Sequence, residues 1–523
     1  MSFNSWISKR NIMPTIKIDN QTITVAEGTS ILNAARSAGI HIPSMCYMEG
    51  CSNHPTCMVC MVKNNANQQM IPSCATKVVD GMDLASEDSE VKEARKEAIE
   101  LLMSDHVGDC EAPCRVACPA YMDIPKMNRF IANNQFDKAL RIVKEEIALP
   151  GILGYVCSAP CEKVCRRKDV DQSVSICLLK RFSEEETQDY LLEKKKASGK
   201  KVAIVGGGAS GLSAAYHLLL KGHDCELFEK YEGVGGMLLA SVLNGDLPTE
   251  VIAREVAVLD QLGLVKNCNT EVSKEKFESL KQEYDAVILA NGTDGEKFGL
   301  EAGKTGLNVD AGTYATSHPK VFACGSVIRT QKMAVKAIAM GKEAAWSVDA
   351  YLNEGKAKAT ERLFNSRFGT LRKEELAEYL KESVEGDRVE AKSPKGFTKE
   401  EAIAEAKRCM HCDCRKLDNC RLRDCAEEYK IDRRRFALGE RNSVVKYFNH
   451  DSVIYEPEKC IKCGLCIEIA ERHGEKTGLT NVGRGFTVKV AVPFNQQLKQ
   501  ALSIAGKECA EACPTGALSL RSN

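Results

Sequence analysis

Residues 202–230 read VAIVGGGASGLSAAYHLLLKGHDCELFEK: four apolar residues, a glycine turn, a helical pattern, then a second apolar run ending in an acid. A strand, a turn and a helix in that order open a dinucleotide-binding α/β sheet. Gly206 supplies the tight turn, Gly208 the close approach of backbone to a pyrophosphate, and Gly211 the packing of helix on strand. The helix N-terminus faces the phosphates. Glu229 ends the next strand about twenty residues on, where an acid binds a ribose hydroxyl. A glycine fingerprint alone is weak, but strand, helix and acid together are strong.

Around this stretch lie 523 residues, which at about 150 per domain make three or four domains. Lys+Arg 72 balance Asp+Glu 72, and no block of like charge is long enough to form an arm for nucleic acid or an anionic membrane. No run of 18 apolar residues occurs, and the opening MSFNSWISKRNIMPT lacks the apolar core of a secretory signal. A soluble, cytoplasmic protein with no membrane span is expected. The chain has 25 Cys against 2 Trp and is too long for a disulfide-stapled secreted scaffold, so its thiols point to metal. They fall in five groups: Cys46 to Cys74, Cys110 to Cys118, Cys157 to Cys177, Cys409 to Cys425, and Cys460 to Cys513. Cys225, Cys268 and Cys324, between the third and fourth groups, read as small buried hydrophobes.

At the N-terminal end Ile16, Ile18, Ile23 and Val25 alternate with polar residues around Asp19-Asn20, the pattern of a β-hairpin with one buried face. Ile31, Leu32, Ala35 and Ile40 mark the inner side of a short helix. The loop Cys46-x10-Cys57-x2-Cys60-x13-Cys74 then offers four thiolates, which suit a 2Fe-2S centre, with a zinc ribbon as the alternative. Residues 14 to about 85 resemble the N-terminal 2Fe-2S domain of the large iron-sulfur subunit of respiratory complex I and of iron-only hydrogenases. Cys51 does not continue a plant-type ferredoxin pattern and is a spare thiol.

Residues 90 to 190 have helical periodicity, broken at CEAPCRVACPAYMDIP and CSAPCEKVCRR. With SVSICLLKRF, this segment resembles the N-terminal domain of the glutamate synthase small subunit and of dihydropyrimidine dehydrogenase. The resemblance implies two 4Fe-4S clusters with interleaved ligands: Cys110, Cys114 and Cys165 on one, Cys118, Cys157 and Cys161 on the other. His106, placed near the family's first cysteine and similar in spacing to the His-ligated cluster of complex I, is the candidate fourth ligand of the first. Cys177 is the candidate for the second.

GVGGML, LPTEVIAREVAVLDQLGL and HPKVFACGSVIRTQKMAVKAIAMGKEAA resemble the flavin domain of the same glutamate synthase subunit, which implies FAD held by Gly206, Gly208, Gly211, Glu229, Gly236 and Gly325. That family carries a second glycine fingerprint, for NADPH, before the closing flavin motif. Here AVILANGT, ending at Thr293, is followed within about twenty residues by GTYATSHPKVFACG, and no second GxGxxG occurs. A nicotinamide domain is therefore expected to be missing. Gly325-Ser326 stands where the family has Gly-Asp, which removes a charged acceptor for the ribityl chain.

EAKRCMHCDCRKLDNCRLRDCAEEY places Cys409, Cys412, Cys414, Cys420 and Cys425 within seventeen residues, enough for one 4Fe-4S cluster. Which four bind is open, and Cys409-x2-Cys412 is also a zinc spacing. Cys460-x2-Cys463-x2-Cys466 is a bacterial ferredoxin start with Ala470 in place of the fourth cysteine. In such proteins the cysteine before proline ligates the other cluster, so Cys460, Cys463, Cys466 and Cys513 make one complete site and Cys509 is left over. Residues 450 to 518 resemble the complex I large iron-sulfur subunit.

The expected architecture is multidomain, α+β and α/β: a 2Fe-2S ferredoxin-like domain (1–88), a helical 4Fe-4S domain (89–195), a Rossmann-type FAD domain (196–355), a helical linker with a cysteine cluster (356–445), and a C-terminal ferredoxin-like domain (446–523). The combined resemblances imply an electron-transfer subunit with FAD, one 2Fe-2S and about four 4Fe-4S clusters in a flavin-based electron-bifurcating oxidoreductase complex. Its partners would be an NADH-oxidising FMN subunit resembling that of complex I, a catalytic subunit of hydrogenase, formate or aldehyde type, and ferredoxin. A self-contained flavoprotein reductase and a scaffold with structural FAD are the alternatives.

Overall fold

The computed structural model describes residues 13–521 except 53, 188–189, 438 and 440. Most of the opening segment read for a leader lies outside the described residues. The chain forms two compact units, one made of residues 1–111, 363–379 and 413–523, the other of 112–362 and 380–412.

In the first unit a five-stranded sheet has the order Gln21–Thr24, Thr15–Ile18, Asp83–Ala85, Met61–Asn64, Gln69–Pro72. Its first two strands pair antiparallel around Asp19, whose φ of +52° makes the turn, and Ile16, Ile18 and Ile23 are buried as the alternation requires. The helix Ile31–Ser37 buries Ile31, Leu32 and Ala35, and Ser30 caps it by accepting from the Asn33 N–H. Ile40 lies beyond its end, after Gly39 turns the chain at φ +74°. At the other end of the chain Val453–Tyr455 pairs antiparallel with Leu518–Leu520, and the helices Leu465–Arg472 and Gly506–Ala512 share one apolar core with them.

The helix Ser89–Asp105 also belongs to this first unit. Its Arg95, fully buried, donates from Nε and Nη2 to the Met61 carbonyl at 3.1 and 2.9 Å, and from Nη1 to the Tyr429 hydroxyl at 3.1 Å. A guanidinium so held must have every donor occupied, and strand, helix and C-terminal segment supply the acceptors. The compact unit that holds this helix extends to Glu111, past the domain boundary expected near residue 88, and the expected linker 356–445 is shared between the two units.

The second unit is built on a parallel sheet in the order Val321–Ala323, Ala286–Leu289, Lys201–Val205, Asp224–Phe228, Val265–Asn267. The strand order reverses at Lys201–Val205, which places the ligand crevice at its carboxyl end, where the glycines are. The helices Ala209–Leu220 and Ala334–Glu354 pack so closely that a Cβ on Gly341 would lie 2.2 Å from the Ser210 carbonyl oxygen. Between Leu289 and Val321, all of it described, the backbone makes only isolated bridges, at Ala302–Leu307 and Ala315–Phe322. Helices from Pro113–Ala117 to Ile176–Glu186 complete this unit. Among the described residues no helix is long and apolar enough to cross a membrane.

Candidate cluster and dinucleotide sites

The loops after the first hairpin bring Cys46, Cys57, Cys60 and Cys74 together as buried thiols. The Cys46 and Cys57 sulfurs are 3.4 Å apart. Hydrogen bonds among the four sulfurs push the Cys57 and Cys74 thiols up and hold Cys46 and Cys60 down, Cys60 to about 6. Thiols this close compete for protons, and the deprotonated form is the one that binds iron. Ser73 fixes the loop by donating from both its N–H and its hydroxyl to the Cys60 carbonyl, at 3.1 and 2.7 Å. Cys51 is half-buried, with Arg472 Nη1 3.9 Å from its sulfur, and stands apart from this set.

In the C-terminal segment Cys460, Cys463, Cys466 and Cys513 line one recess with Tyr455 and Leu465. Gly464, at φ +80°, and Lys462, at φ +56°, give the tight cysteine loop its left-handed turns, and the Lys462 N–H points at the Cys460 sulfur at 3.3 Å. Burial pushes the Cys460 thiol up to about 12, and Cys463 and Cys466 rise for the same reason. Cys509 does not line the recess, and its sulfur lies 3.5 Å from the Cys466 carbonyl oxygen.

Cys110 meets Cys414 and Cys420 in the first unit. The Cys414 N–H donates to the Cys110 carbonyl at 3.0 Å. Burial raises Cys110 to about 11 and Cys420 to about 12, and each also feels the charge of Cys414. His106, buried, is held neutral by that burial, which brings its pKa to about 4, and its Nδ1 lies 2.9 Å from the Lys459 carbonyl oxygen. With Nδ1–H donating there, the Nε2 lone pair is left for a metal. Lys459 is also a neighbour of Cys414, which puts His106 and Cys414 against one residue. Cys425 is buried, and desolvation, with the nearby Glu428 and Asp424 carboxylates, raises it to about 12.

In the second unit Cys114, Cys165, Cys409 and Cys412 line one recess. Cys110 and His106, expected from the sequence to share a cluster with Cys114 and Cys165, do not line this recess, and the 409–412 segment does. An ionic network holds that segment in place. Arg408 donates to Asp171 Oδ1 and to Glu405 Oε1, both at 2.8 Å, while Arg167 binds Asp171 and the Arg408 carbonyl. Glu405 in turn accepts from the Ser175 N–H at 2.7 Å. Buried charges paired in this way fix geometry because breaking one pair leaves the other charge bare.

The remaining thiols, Cys118, Cys157, Cys161 and Cys177, form a second set in the same unit. Cys177 shares hydrogen bonds with Cys157 and Cys161, and the buried Lys180 feels the charge of all four. Among the described residues no three His, Cys, Asp or Glu side chains close on the position of a single metal ion. The two recess-lining sets ring a space instead, as a polynuclear cluster requires.

At the glycine turn a Cβ on Gly206 would lie 2.5 Å from the Ala290 carbonyl oxygen, and one on Gly211 would lie 2.0 Å from the Gly206 carbonyl oxygen. Gly206 also needs its φ of +107°. A Cβ on Gly208 would meet nothing closer than the Gly236 Cα at 4.0 Å, so this turn is open on the side where a pyrophosphate approaches. Gly236, at φ +52°, and Gly325, at φ +76°, face the same turn; a Cβ on Gly325 would lie 2.2 Å from Ser210 Oγ. Glu229 is buried and accepts from the Gly207 N–H at 2.7 Å and the Tyr231 N–H at 3.1 Å. Two carboxylate oxygens offer about four acceptor positions, which leaves room for ribose hydroxyls. Ser326 Oγ accepts from the Gln331 N–H at 3.2 Å.

Family models match this chain as a 2Fe-2S iron-sulfur cluster binding domain over residues 13–89, dihydropyrimidine dehydrogenase domain II, 4Fe-4S cluster, over 83–191, and an NAD(P)-binding Rossmann-like domain over 204–257. It is 38% identical over 202 residues to the NADPH-Fe(3+) oxidoreductase subunit beta of Geobacter sulfurreducens, covering 36% of this chain and 30% of that protein. It is 35% identical over 211 residues to the NADP(+)-dependent formate dehydrogenase subunit beta of Moorella thermoacetica, covering 35% and 29%. With the glutamate synthase [NADPH] small chain of Bacillus subtilis it shares 32% over 218 residues, covering 38% and 44%. The chain therefore carries iron-sulfur and Rossmann-like dinucleotide-binding domains homologous to those of oxidoreductase subunits, and its matches span less than half of each of these relatives.

Proposed function

We propose that this chain is an electron-transfer subunit of a cytoplasmic, multi-subunit oxidoreductase, with FAD on the Gly206–Gly211 turn, one 2Fe-2S centre and four 4Fe-4S centres. The observation that carries the reading is the sorting of the ligand candidates: nineteen cysteines and His106 divide into five sets of four, each within one unit. Cys46, Cys57, Cys60 and Cys74 hold the 2Fe-2S centre. The 4Fe-4S sets are Cys460, Cys463, Cys466 and Cys513; His106, Cys110, Cys414 and Cys420; Cys114, Cys165, Cys409 and Cys412; and Cys118, Cys157, Cys161 and Cys177. Iron-sulfur centres pass single electrons and FAD exchanges one or two. The protein's part is to hold the ligands, bury the sulfurs and keep water away from them.

The His106 set is built around an insertion. Cys110-Glu111 ends one stretch of the first unit, which returns briefly over 363–379 and again from Asp413-Cys414 onward. With 363–379 set aside, the two outer stretches joined give His-x3-Cys-x2-Cys-x5-Cys, a ligand spacing that the intervening residues interrupt. The second unit, which carries the dinucleotide turn, therefore enters the chain inside a ligand loop of the first.

A partner of the kind that oxidises NADH on FMN fits this reading, because the described backbone after Leu289 holds no second dinucleotide sheet. Electron bifurcation, with ferredoxin as one acceptor, is the finer form of the proposal. Purification from the native source tests it: an NADH-oxidising flavin subunit and a separate catalytic subunit should co-purify. A lone chain that turns over a small substrate at its own flavin would overturn it.

A further inference from the structure

Lys180 lies on the helix Ile176–Glu186, one turn after Cys177, and is only 3% exposed. Its Nζ donates to the Leu153 carbonyl at 3.1 Å, in the helix Pro150–Val156 that leads directly into Cys157. Among the described residues it forms no ion pair with a carboxylate. The groups whose negative charge acts on it against the cost of burial are Cys177, Cys157, Cys161 and Cys118, in that order. Two other buried lysines pair with carboxylates, Lys342 with Glu146 at 2.5 Å and Lys459 with Glu456 at 2.7 Å, while Lys144 and Lys416 donate to backbone carbonyls.

An ammonium stripped of water needs a counter-charge, and one carbonyl does not supply it. Four thiolates around a 4Fe-4S core carry net negative charge, which grows when the core takes an electron. We infer that Lys180 is the built-in counter-ion of the cluster held by Cys118, Cys157, Cys161 and Cys177, and that it raises that cluster's midpoint potential. This rests on the reading of those four cysteines as one cluster's ligands. In the step concerned, one electron enters the cluster from its donor, a flavin or neighbouring cluster in the complex and dithionite in the test. The added charge is offset by the ammonium already in place, since net charge is one of the terms that set the potential of an iron-sulfur centre. Lys180 is thus a tuning residue that acts through its charge and does not ligate the iron.

The test is an EPR-monitored redox titration of the full chain, reconstituted anaerobically, with iron counted for every variant. Cys118→Ser identifies the signal of this cluster by removing it; if no signal and no iron are lost, the ligand reading itself fails, independently of Lys180. Lys180→Met and Lys180→Gln should keep the iron and move this one midpoint down by at least ten-fold in the reduction equilibrium, about 59 mV for one electron. Lys180→Arg should leave it in place. Full iron with an unmoved midpoint in the Met and Gln variants would overturn the inference. Should Met and Gln lose the cluster while Arg keeps it, the charge is required for assembly and the inference stands; loss in all three would make Lys180 a packing residue and overturn it.

Discussion

Cys509 and Cys513 are one turn apart, yet only Cys513 lines the recess of Cys460, Cys463 and Cys466. Cys513→Ser should therefore remove one 4Fe-4S EPR signal while Cys509→Ser leaves all of them, and the reverse result would exchange their roles. This distinction was legible in the sequence because the proline after Cys513 marks a ligand to a distant cysteine loop. His106 was less legible, since a lone histidine has no spacing partner of its own. What the structure adds is the Nδ1 contact to the Lys459 carbonyl, which sets the tautomer and frees Nε2. An imidazole is neutral where a thiolate is negative, so a cluster with His106 as ligand has the higher potential. His106→Cys should lower that midpoint in a redox titration, and an unaltered midpoint would make His106 a bystander.

At the scale of elements, the segment Cys409 to Cys420 behaves as two pieces. Cys409 and Cys412 join Cys114 and Cys165, whereas Cys414 and Cys420 join Cys110. Serine at Cys412 or at Cys114 should therefore abolish the same EPR signal, and serine at Cys414 or at Cys110 a different one, each at a cost of about four of about 18 iron atoms. Loss of a single common signal from Cys412→Ser and Cys414→Ser would return the segment to one cluster. Sequence spacing shows ligands that are local, which is why the 2Fe-2S loop and the ferredoxin loop could be read and this pairing could not: Cys114 and Cys409 meet only through tertiary structure. The buried network of Arg408, Glu405, Asp171 and Arg167 that brings them together uses charged residues scattered along the chain, with no periodicity to find. That the helix Ser89–Asp105 packs within the first unit is hidden from the sequence for a related reason. Its helical pattern was plain, but the partners of its buried Arg95 lie at Met61 and Tyr429.

For the whole molecule the question is how electrons enter. The parallel sheet, with its strand order reversing at Lys201–Val205, offers one crevice with a glycine turn at its mouth, and the glycines there are ones that a Cβ would block. If that crevice holds FAD, no second phosphate-binding turn is left among the described residues for a nicotinamide dinucleotide, since the backbone between Leu289 and Val321 makes isolated bridges in place of a second sheet. Hydride transfer needs the nicotinamide ring docked against the flavin, whereas single electrons need only a nearby cluster. NADH or NADPH added to the isolated, cluster-loaded chain should therefore bleach the flavin at no more than a collisional rate, with no saturation as nucleotide is raised. Adding an NADH-oxidising flavin subunit should restore fast reduction, with the clusters reduced before or together with the flavin. Rapid, saturable bleaching of the isolated chain by either nucleotide, followed by stopped-flow absorbance, would show a nicotinamide site within this chain and would make it a reductase complete in itself.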